Sequence, residues 1–250
     1  QIVVNLIGIL YENGANTFQN LHNIFPSYIS KICKDLNVHQ LIHLSALGID
    51  DAKDSFYAKS KLEGEIKIKK NFADATILRP SVVYSVDDNF TTNFMTLLNR
   101  LPFFPLYYNG KTKFMPIHCS DLTDTIYEII SQKKQSNIIE CVGPEMLSFK
   151  DMIKILLRLI DKKRLLINMP IFLANLSANF FQLFPNPLLT TDQLKLLKYD
   201  NITSGKYKTN TDIGIPSKKF FKDEVKKYCY MWKEGGQFST EKYDLTTRKN

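Results

Sequence analysis

The sequence has 250 residues, a mass of 28.9 kDa and a net charge of +8, with 44% hydrophobic and 23% charged residues. Glycine and proline contribute only 10 residues each, so the composition excludes collagen, coiled coil and disorder and is typical of a globular protein. A chain of this length buries a substantial core in one large domain or two small ones.

The positive charge is concentrated near the C-terminus. Residues 1–194 contain 20 basic and 18 acidic residues, whereas residues 195–250 contain 13 basic and 7 acidic ones. Only five of the 33 basic residues are arginine, the side chain that reads bases and phosphates with a fixed fork of donors. We therefore expect no nucleic-acid partner. The basic C-terminal part is interpreted as a solvated lysine-rich surface, with docking to an acidic protein or a lipid surface as the alternative.

Strand and helix segments alternate through the first 80 residues. Short apolar runs predict strands that are covered on both faces, and apolar side chains at helical spacing predict helices. In chain order these are a strand at 2–9, a helix at 18–36 with a kink at Pro26, a strand at 41–44, a helix at 57–71 and a strand at 75–79. This order is typical of an α/β protein with a doubly wound parallel sheet.

The alternation loosens after Pro80. The pattern predicts a helix at 90–100, short extended pieces at 103–115, a helix at 120–132 capped by Ser120 or Asp121, a strand at 137–142 and a helix that begins at Ser148. We predict a sheet domain over residues 1–145, in which the 85–115 segment contributes to a substrate site. A smaller, mostly helical and basic region for substrate binding or docking follows over residues 146–250.

No charged residue occurs between positions 165 and 191. Prolines at 170 and 185 limit the longest helix-compatible piece to 171–184, which spans roughly 21 Å at about 1.5 Å per residue. A bilayer core of about 30 Å is too thick for it, so we expect no transmembrane span. We favour a buried or protein-docking helix, with contact to a membrane surface as the alternative.

Tyr57 and Lys61 form the pattern that points to chemistry. They are four residues apart at the start of a predicted helix, so phenol and ammonium share a face, and Gly64 permits a close approach one turn later. A neighbouring ammonium favours the phenolate, which would lower the pKa of Tyr57 from about 10. The same spacing recurs at Tyr107 and Lys111, but there it falls in an Asn-Gly turn.

Ser45 follows the strand before this helix, at the end of a parallel strand where ligands bind. With Tyr57 and Lys61 it resembles the catalytic set of the short-chain dehydrogenase/reductase superfamily, in the extended branch that is related to nucleotide-sugar epimerases. In that family the tyrosine is the acid/base, the lysine holds the nicotinamide ribose and tunes the tyrosine, and a serine steadies the substrate oxygen. The resemblance implies a Rossmann-like fold with NAD or NADP as cofactor.

Two further segments extend the resemblance. The segment that ends at Gly8 looks like the family's fourth strand, which passes the cofactor. Residues 78–84 look like its sixth strand, whose turn after the proline meets the nicotinamide. The resemblance thus implies that Gly8, Pro80 and Val83 contact the cofactor alongside the Tyr-Lys pair.

A closer similarity is carried by four short motifs, Gly8-Ile-Leu-Tyr-Glu12, Ser45-Ala-Leu-Gly48, Pro187-Leu-Leu-Thr-Thr-Asp-Gln193 and Gly236-Gln-Phe238. Together they resemble the nucleotide-binding accessory subunits of respiratory complex I and their bacterial relatives. This resemblance implies a tightly held NADPH with a structural or assembly role and complex I subunits as partners. It also implies a place on the matrix side of the mitochondrial inner membrane or on the cytoplasmic side of a bacterial inner membrane.

The family's glycine-rich turn, whose backbone amides hold the cofactor pyrophosphate, has no counterpart in these 250 residues. Because the first residues resemble the family's fourth strand, we expect on the order of 60 to 80 residues upstream, including the one that selects NAD or NADP. The chain is expected to carry the nicotinamide half of the site and to bind cofactor weakly by itself.

Other polar residues are interpreted as structural. Asp121 is taken as a helix cap, His39 and His43 as packing or surface residues, and His22 is given no role. The four cysteines lack zinc-site spacing and are expected to be reduced, buried thiols, so no metal site is predicted.

Two functions remain open. One is a nucleotide-binding accessory or assembly subunit of complex I. The other is a working NAD(P)-dependent oxidoreductase or epimerase on a small nucleotide-linked or quinone-related substrate, with Tyr57 as acid/base, Lys61 as its tuner and Ser45 on the substrate oxygen.

Overall fold

The computed structural model describes residues 1–133, 138–184, 187 and 189–239, and a parallel β-sheet lies at its centre. The strands are β1 (Ile2–Asn5), β2 (Gln40–Leu44), β3 (Thr76–Pro80), β4 (Val83–Tyr84), β5 (Phe103–Leu106), β6 (Lys113–Phe114), β7 (Ile117–His118), β8 (Ile138–Cys141), β9 (Leu147–Ser148), β10 (Leu165–Asn168) and β11 (Lys208–Thr209). The helices are α1 (Phe25–Asp35), α2 (Phe56–Asn71), α3 (Thr91–Arg100), α4 (Cys119–Ser131), α5 (Phe149–Leu159), α6 (Ile171–Phe181), α7 (Thr191–Leu196) and α8 (Phe221–Lys226). A π-helical segment, Gln19–Ile24, leads into α1, and 3₁₀ turns lie at Tyr107–Gly110 and Cys229–Trp232.

The central sheet has the strand order β1-β2-β3-β8-β11, and every neighbouring pair is parallel. Adjacent residues of β2 point to opposite faces, as the two-residue repeat of a strand requires. Leu41 packs with Cys33 of α1 and Ile68 of α2, whereas Ile42 packs with Leu122 of α4. Helices therefore cover both faces, which confirms the predicted doubly wound, Rossmann-like α/β fold.

The first strand is shorter than the apolar run predicts. It ends at Asn5, whose side-chain oxygen accepts the N–H of Ile7 at 3.1 Å, a local turn that competes with continued pairing. The expected helix over 18–36 is present as the π-helical segment followed by α1, with Pro26 in the first turn of α1.

The cap of α4 differs from the prediction. His118, and not Ser120 or Asp121, is the N-cap, because its ring accepts the N–H of Ser120 at 3.2 Å. Asp121 instead accepts the N–H groups of Lys218 and Lys219, at 3.0 and 2.9 Å, and so holds the C-terminal segment against α4.

The C-terminal region is joined to the sheet and shares a core with the preceding elements. Strand β11 extends the sheet beside β8, and Glu140 of β8 accepts both the N–H and the hydroxyl of Ser204. A large apolar core lies between α3, α5 and α8, and includes Leu98, Leu156 and Phe221. The domain boundary near residue 145 stays a prediction.

The carboxyl ends of β2 and β3 meet where α2 begins. The N–H of Ser45 donates to Leu78 at 2.7 Å, and that of Leu47 donates to Pro80 at 2.9 Å. These bonds place the predicted site residues along one edge of the sheet, the edge at which parallel α/β sheets bind ligands.

Candidate functional site

Helix α2 carries both Tyr57 and Lys61. Ser55 caps the helix by accepting the N–H of Ala58 at 3.2 Å, so Tyr57 lies in the first turn and Lys61 one turn later. Gly64 lies against the backbone of His22, which confirms that this glycine permits a close approach.

The ammonium group of Lys61 is buried at the end of the sheet. Its Nζ donates a hydrogen bond to the carbonyl of Leu44, the last residue of β2, at 3.1 Å. A Cβ added to Gly8 would lie 3.1 Å from the same nitrogen. Burial lowers the pKa of Lys61 to about 8, and the charge of Glu65 opposes this shift. An ammonium has three N–H donors, so Lys61 can bind further acceptors such as ribose hydroxyls beside the bare Gly8 backbone.

Tyr57 is half-buried and packs against two other rings. Its centroid lies 5.8 Å from that of Phe18 and 5.2 Å from that of His22, and both contacts are edge-on. Burial disfavours the phenolate and raises the pKa of Tyr57 to about 12. The expectation that Lys61 lowers this pKa is therefore wrong for this arrangement. A phenol with this pKa is protonated at neutral pH.

His22 orients the first turn of α2. Its Nε2 accepts the N–H of Ile9 at 3.0 Å, and its Nδ1 lies 3.0 Å from the hydroxyl of Ser60, which donates to the carbonyl of Tyr57 at 2.8 Å. This pattern assigns the proton to Nδ1, since Nε2 must accept. A neutral histidine thus connects the segment after β1 to the helix that carries the Tyr-Lys pair.

His22 is buried and was given no role from the sequence, although its spacing indicates a buried position. Residue 22 lies one helical turn after Phe18, and the two rings stack with their centroids 5.3 Å apart. Helical spacing from the apolar Phe18 therefore indicated a buried position. Burial, followed by the charge of Lys61, lowers the pKa of His22 to about 3.

Two buried polar atoms at the same edge lack a hydrogen-bond partner within the described residues, Ser45 Oγ and His43 Nε2. His43 Nδ1 accepts from the side-chain amide of Asn5 at 3.0 Å, so Nε2 carries the proton and is an unused donor. Burial, with the charges of Lys61 and His22, lowers the pKa of His43 to about 3. Buried donors without partners are unfavourable unless a ligand satisfies them. Together with the buried ammonium and the Gly8 backbone, they fit the nicotinamide half of a dinucleotide.

Gly8, Pro80 and Val83 were also predicted to contact the cofactor. Gly8 lies beside Lys61, Pro80 ends β3 as a buried residue, and Val83 is half-buried in β4, which pairs with β7. The contacts of Gly8, Tyr57, Lys61, Pro80 and Val83 with a cofactor stay predictions, as does the role of Ser45.

Within the residues that the structure describes, no group of three His, Cys, Asp or Glu side chains could hold a metal ion. Over the same residues, no helix has the length and apolar character needed to cross a bilayer. All four cysteines are free. Cys33, Cys141 and Cys229 are buried as expected, but Cys119 is exposed, because it begins α4 at the surface.

No protein-family model matches the chain. Among curated proteins, it is similar to the mitochondrial NADH dehydrogenase (ubiquinone) 1 alpha subcomplex subunit 9 of Dictyostelium discoideum, with 26% identity over 86% of this chain and 60% of that protein. The mitochondrial 40 kDa subunit of NADH-ubiquinone oxidoreductase from Neurospora crassa is 23% identical, over 86% of this chain and 56% of that protein. The chain thus spans less than two thirds of the length of either relative.

Among solved structures, the fold matches the UDP-glucuronic acid 4-epimerase of Bacillus cereus in complex with UDP-glucuronic acid and NAD. The TM-score is 0.64 at 15% identity, over 90% of this chain and 73% of that one. The dTDP-glucose 4,6-dehydratase DesIV of Streptomyces venezuelae, solved with NAD bound, matches with a TM-score of 0.65 at 15% identity, over 92% and 72%. The chain is therefore similar in sequence to these subunits of the mitochondrial NADH-ubiquinone oxidoreductase and has the fold of these epimerases and dehydratases.

Proposed function

We propose that the protein is an NAD(P)(H)-binding accessory or assembly subunit of respiratory complex I. The observation that carries the proposal is the contrast between Tyr57 and Lys61, which lie four residues apart on α2. Lys61 holds a buried ammonium beside Gly8, where it can donate to ribose hydroxyls, whereas Tyr57 packs edge-on against the rings of Phe18 and His22. This arrangement favours holding a nicotinamide nucleotide over turning it over.

The nature of the relatives supports the partner. Both curated relatives bear the names of subunits of the mitochondrial NADH-ubiquinone oxidoreductase, and the solved structures of similar fold contain NAD. We propose NADP(H) as the nucleotide, in line with the family resemblance. We propose the matrix side of the mitochondrial inner membrane as the place of action, with the cytoplasmic side of a bacterial inner membrane as the corresponding position in bacteria.

Helix α6 supplies a docking surface for that partner. Only two small residues of the helix are buried, Ala174 and Ala178, which pack on Leu194 of α7. Large apolar side chains of the α6 segment face solvent, including Phe172, Leu173, Leu176, Phe180, Leu183 and Phe184, which we call the α6 surface. A group of exposed apolar side chains on one segment is typical of an interaction site.

We assign the α6 surface to a protein surface of complex I. The segment from 165 to 191 contains no charged residue, so it lacks the lysines and arginines that bind anionic lipid headgroups. An apolar protein surface is therefore the better complement. Peripheral membrane contact is the alternative outcome of the test.

Affinity purification of the full-length protein from its own organism tests the proposal. Complex I subunits are expected to be recovered in constant ratio to the protein, together with a bound nicotinamide nucleotide. Recovery of a free monomer without complex I subunits would contradict the accessory function.

A second candidate function rests on the unpartnered hydroxyl of Ser45 and the presence of both Tyr57 and Lys61. In that case Tyr57 exchanges a proton with a substrate oxygen while hydride passes between the adjacent carbon and nicotinamide. In the structure the rings of Phe18 and His22 contact the Tyr57 ring edge-on. Turnover of any nucleotide-linked or quinone-related substrate by the full-length protein would support this candidate.

A further inference from the structure

The first turn of α2 is held by a carboxylate from a distant part of the chain. Asp192 of α7, almost fully buried, accepts three hydrogen bonds there. The donors are the hydroxyl of Ser55 at 2.7 Å, the N–H of Phe56 at 2.8 Å and the N–H of Tyr57 at 2.9 Å. No acidic residue lies in the first turn of α2 itself, so Asp192 provides the negative charge at this end.

The chemistry of these bonds makes them strong. The first N–H groups of a helix have no partner within the helix, and the helix dipole places partial positive charge there. A carboxylate that accepts from two successive N–H groups forms charge-assisted bonds and fixes the direction in which the turn faces. Tyr57 is held directly by this contact, and Lys61 follows one turn later on the same rigid helix.

Asp192 is fixed in turn by its own surroundings. Thr190 and Gln193 form a capping box around the start of α7, with bonds of 3.1 and 3.0 Å. Gln182, at the end of α6, accepts both the N–H and the hydroxyl of Thr191 at 2.9 Å. These bonds anchor the backbone that carries Asp192 to the start of α7 and the end of α6.

We propose that Asp192 is a positioning residue for the nicotinamide side of the site. By holding the first turn of α2, it sets the placement of Tyr57 and Lys61 relative to Gly8, so the C-terminal region completes the cofactor site. The inference rests on the proposed function, because it presumes that a nicotinamide nucleotide binds there. Helix α7 thus links the end of α6, which bonds to Thr191, with the first turn of α2, which bonds to Asp192.

The test compares Asp192→Asn with Ser55→Ala in the full-length protein. Asp192→Asn removes the negative charge that accepts all three bonds, whereas Ser55→Ala removes one donor and keeps the bonds that the N–H groups of Phe56 and Tyr57 donate to Asp192. Both are expected to lower the melting temperature. Only Asp192→Asn is expected to raise the Kd for NADPH, by about tenfold, which corresponds to about 1.4 kcal/mol of binding free energy. Amide hydrogen exchange of Tyr57 is expected to accelerate in the same variant without nucleotide.

Asp200→Asn is the matched control. Asp200 also accepts a backbone N–H, that of Lys113 at 2.8 Å, and it should leave the Kd unchanged. An unchanged Kd in Asp192→Asn, or an equal rise in Ser55→Ala, would overturn the inference. If Asp192→Asn does not fold, Asp192→Glu decides, because it keeps the charge but displaces the carboxylate, and a Kd equal to wild type then rejects the inference. Absence of NADPH binding by the wild-type protein would instead overturn the proposed function and this inference with it.

Discussion

Gly64 of α2 touches the backbone of His22 so closely that a Cβ in its place would lie 1.9 Å from the His22 carbonyl oxygen. This contact brings the π-helical segment against α2 and lets the His22 ring close over Tyr57. The packing of the His22 ring against Tyr57 thus depends on the absence of a side chain at Gly64.

Gly64→Ala is expected to destabilise the fold. The added methyl group overlaps backbone, which no rotamer change can relieve, so the free energy of unfolding should fall by about 3 kcal/mol. Chemical denaturation measures this change. Lys70→Ala, a substitution at an exposed site on the same helix, should change it by less than about 0.5 kcal/mol. Equal effects of the two variants would show that α2 does not pack in this way.

Stability should depend on pH through His22 and His43. Each has a folded-state pKa of about 3 against an ordinary value of 6.5, so in the interval between these values the unfolded chain binds protons that the folded chain does not. The free energy of unfolding therefore rises with pH across that interval. The stability that the two neutral histidines contribute is lost as pH falls through it. Each histidine contributes a slope of about 1.4 kcal/mol per pH unit.

The substitutions His22→Gln and His43→Gln should each reduce this slope by about one proton equivalent, about 1.4 kcal/mol per pH unit. Urea denaturation between about pH 4 and 6 measures it. His39→Gln, at an exposed position, is the control. A slope that stays the same in both buried-site variants would mean that neither ring is held neutral by the fold.

Lys61→Met should weaken nicotinamide binding. The variant keeps the length of the side chain but removes a buried donor beside Gly8, and hydrogen bonds from charged groups are worth about 1.5 to 3 kcal/mol. The Kd for NADPH in the full-length protein should rise by about 10-fold to 100-fold. Lys59→Met on the same helix, where the residue is exposed, should leave the Kd unaltered. Similar Kd values for the two variants would show that Lys61 does not contribute to nucleotide binding.

Tyr57→Phe separates the two candidate functions. Under the accessory function the phenol makes no bond that nucleotide binding needs, so the Kd stays close to that of wild type and neither protein turns over substrate. Steady-state assays with nucleotide-linked and quinone substrates provide the measurement. Turnover by wild type that disappears in Tyr57→Phe would establish the enzymatic alternative.

Changes on the α6 surface should affect docking without affecting folding. Phe172 and Leu176 are 76% and 59% exposed, so replacing both by serine should change stability by less than about 1 kcal/mol. Complex I subunits should no longer co-purify. Tyr127→Ser on α4, where the tyrosine is 65% exposed, is the matched control and should retain them. Loss of binding to lipid vesicles with complex I subunits retained would assign the surface to the membrane.

The sequence predicted what depends on local spacing. Apolar runs and helical repeats identified β1, β2, β3 and β8 of the central sheet and the helices between them, but not β11. The four-residue spacing of Tyr57 and Lys61 made α2 the candidate site helix. Gly64 was recognised for the same reason. These features are encoded within one or two turns of chain.

The remaining features depend on contacts between distant segments. Asp192 lies 135 residues from Tyr57, and no local pattern relates them. The raised pKa of Tyr57 requires Phe18 and His22 to close over it, which depends on how the π-helical segment packs. The unpartnered donor of His43 depends on the register of β1 against β2, which places Asn5 beside it.

The most direct test of the central claim is to isolate complex I from the organism and to quantify two components in it. These are this protein and the nicotinamide nucleotide that is released on denaturation. The account predicts both in about equal amounts, and it predicts that complexes carrying Lys61→Met retain the protein but lose the nucleotide. Complex I that lacks this protein, or that contains it without any nicotinamide nucleotide, would contradict the account.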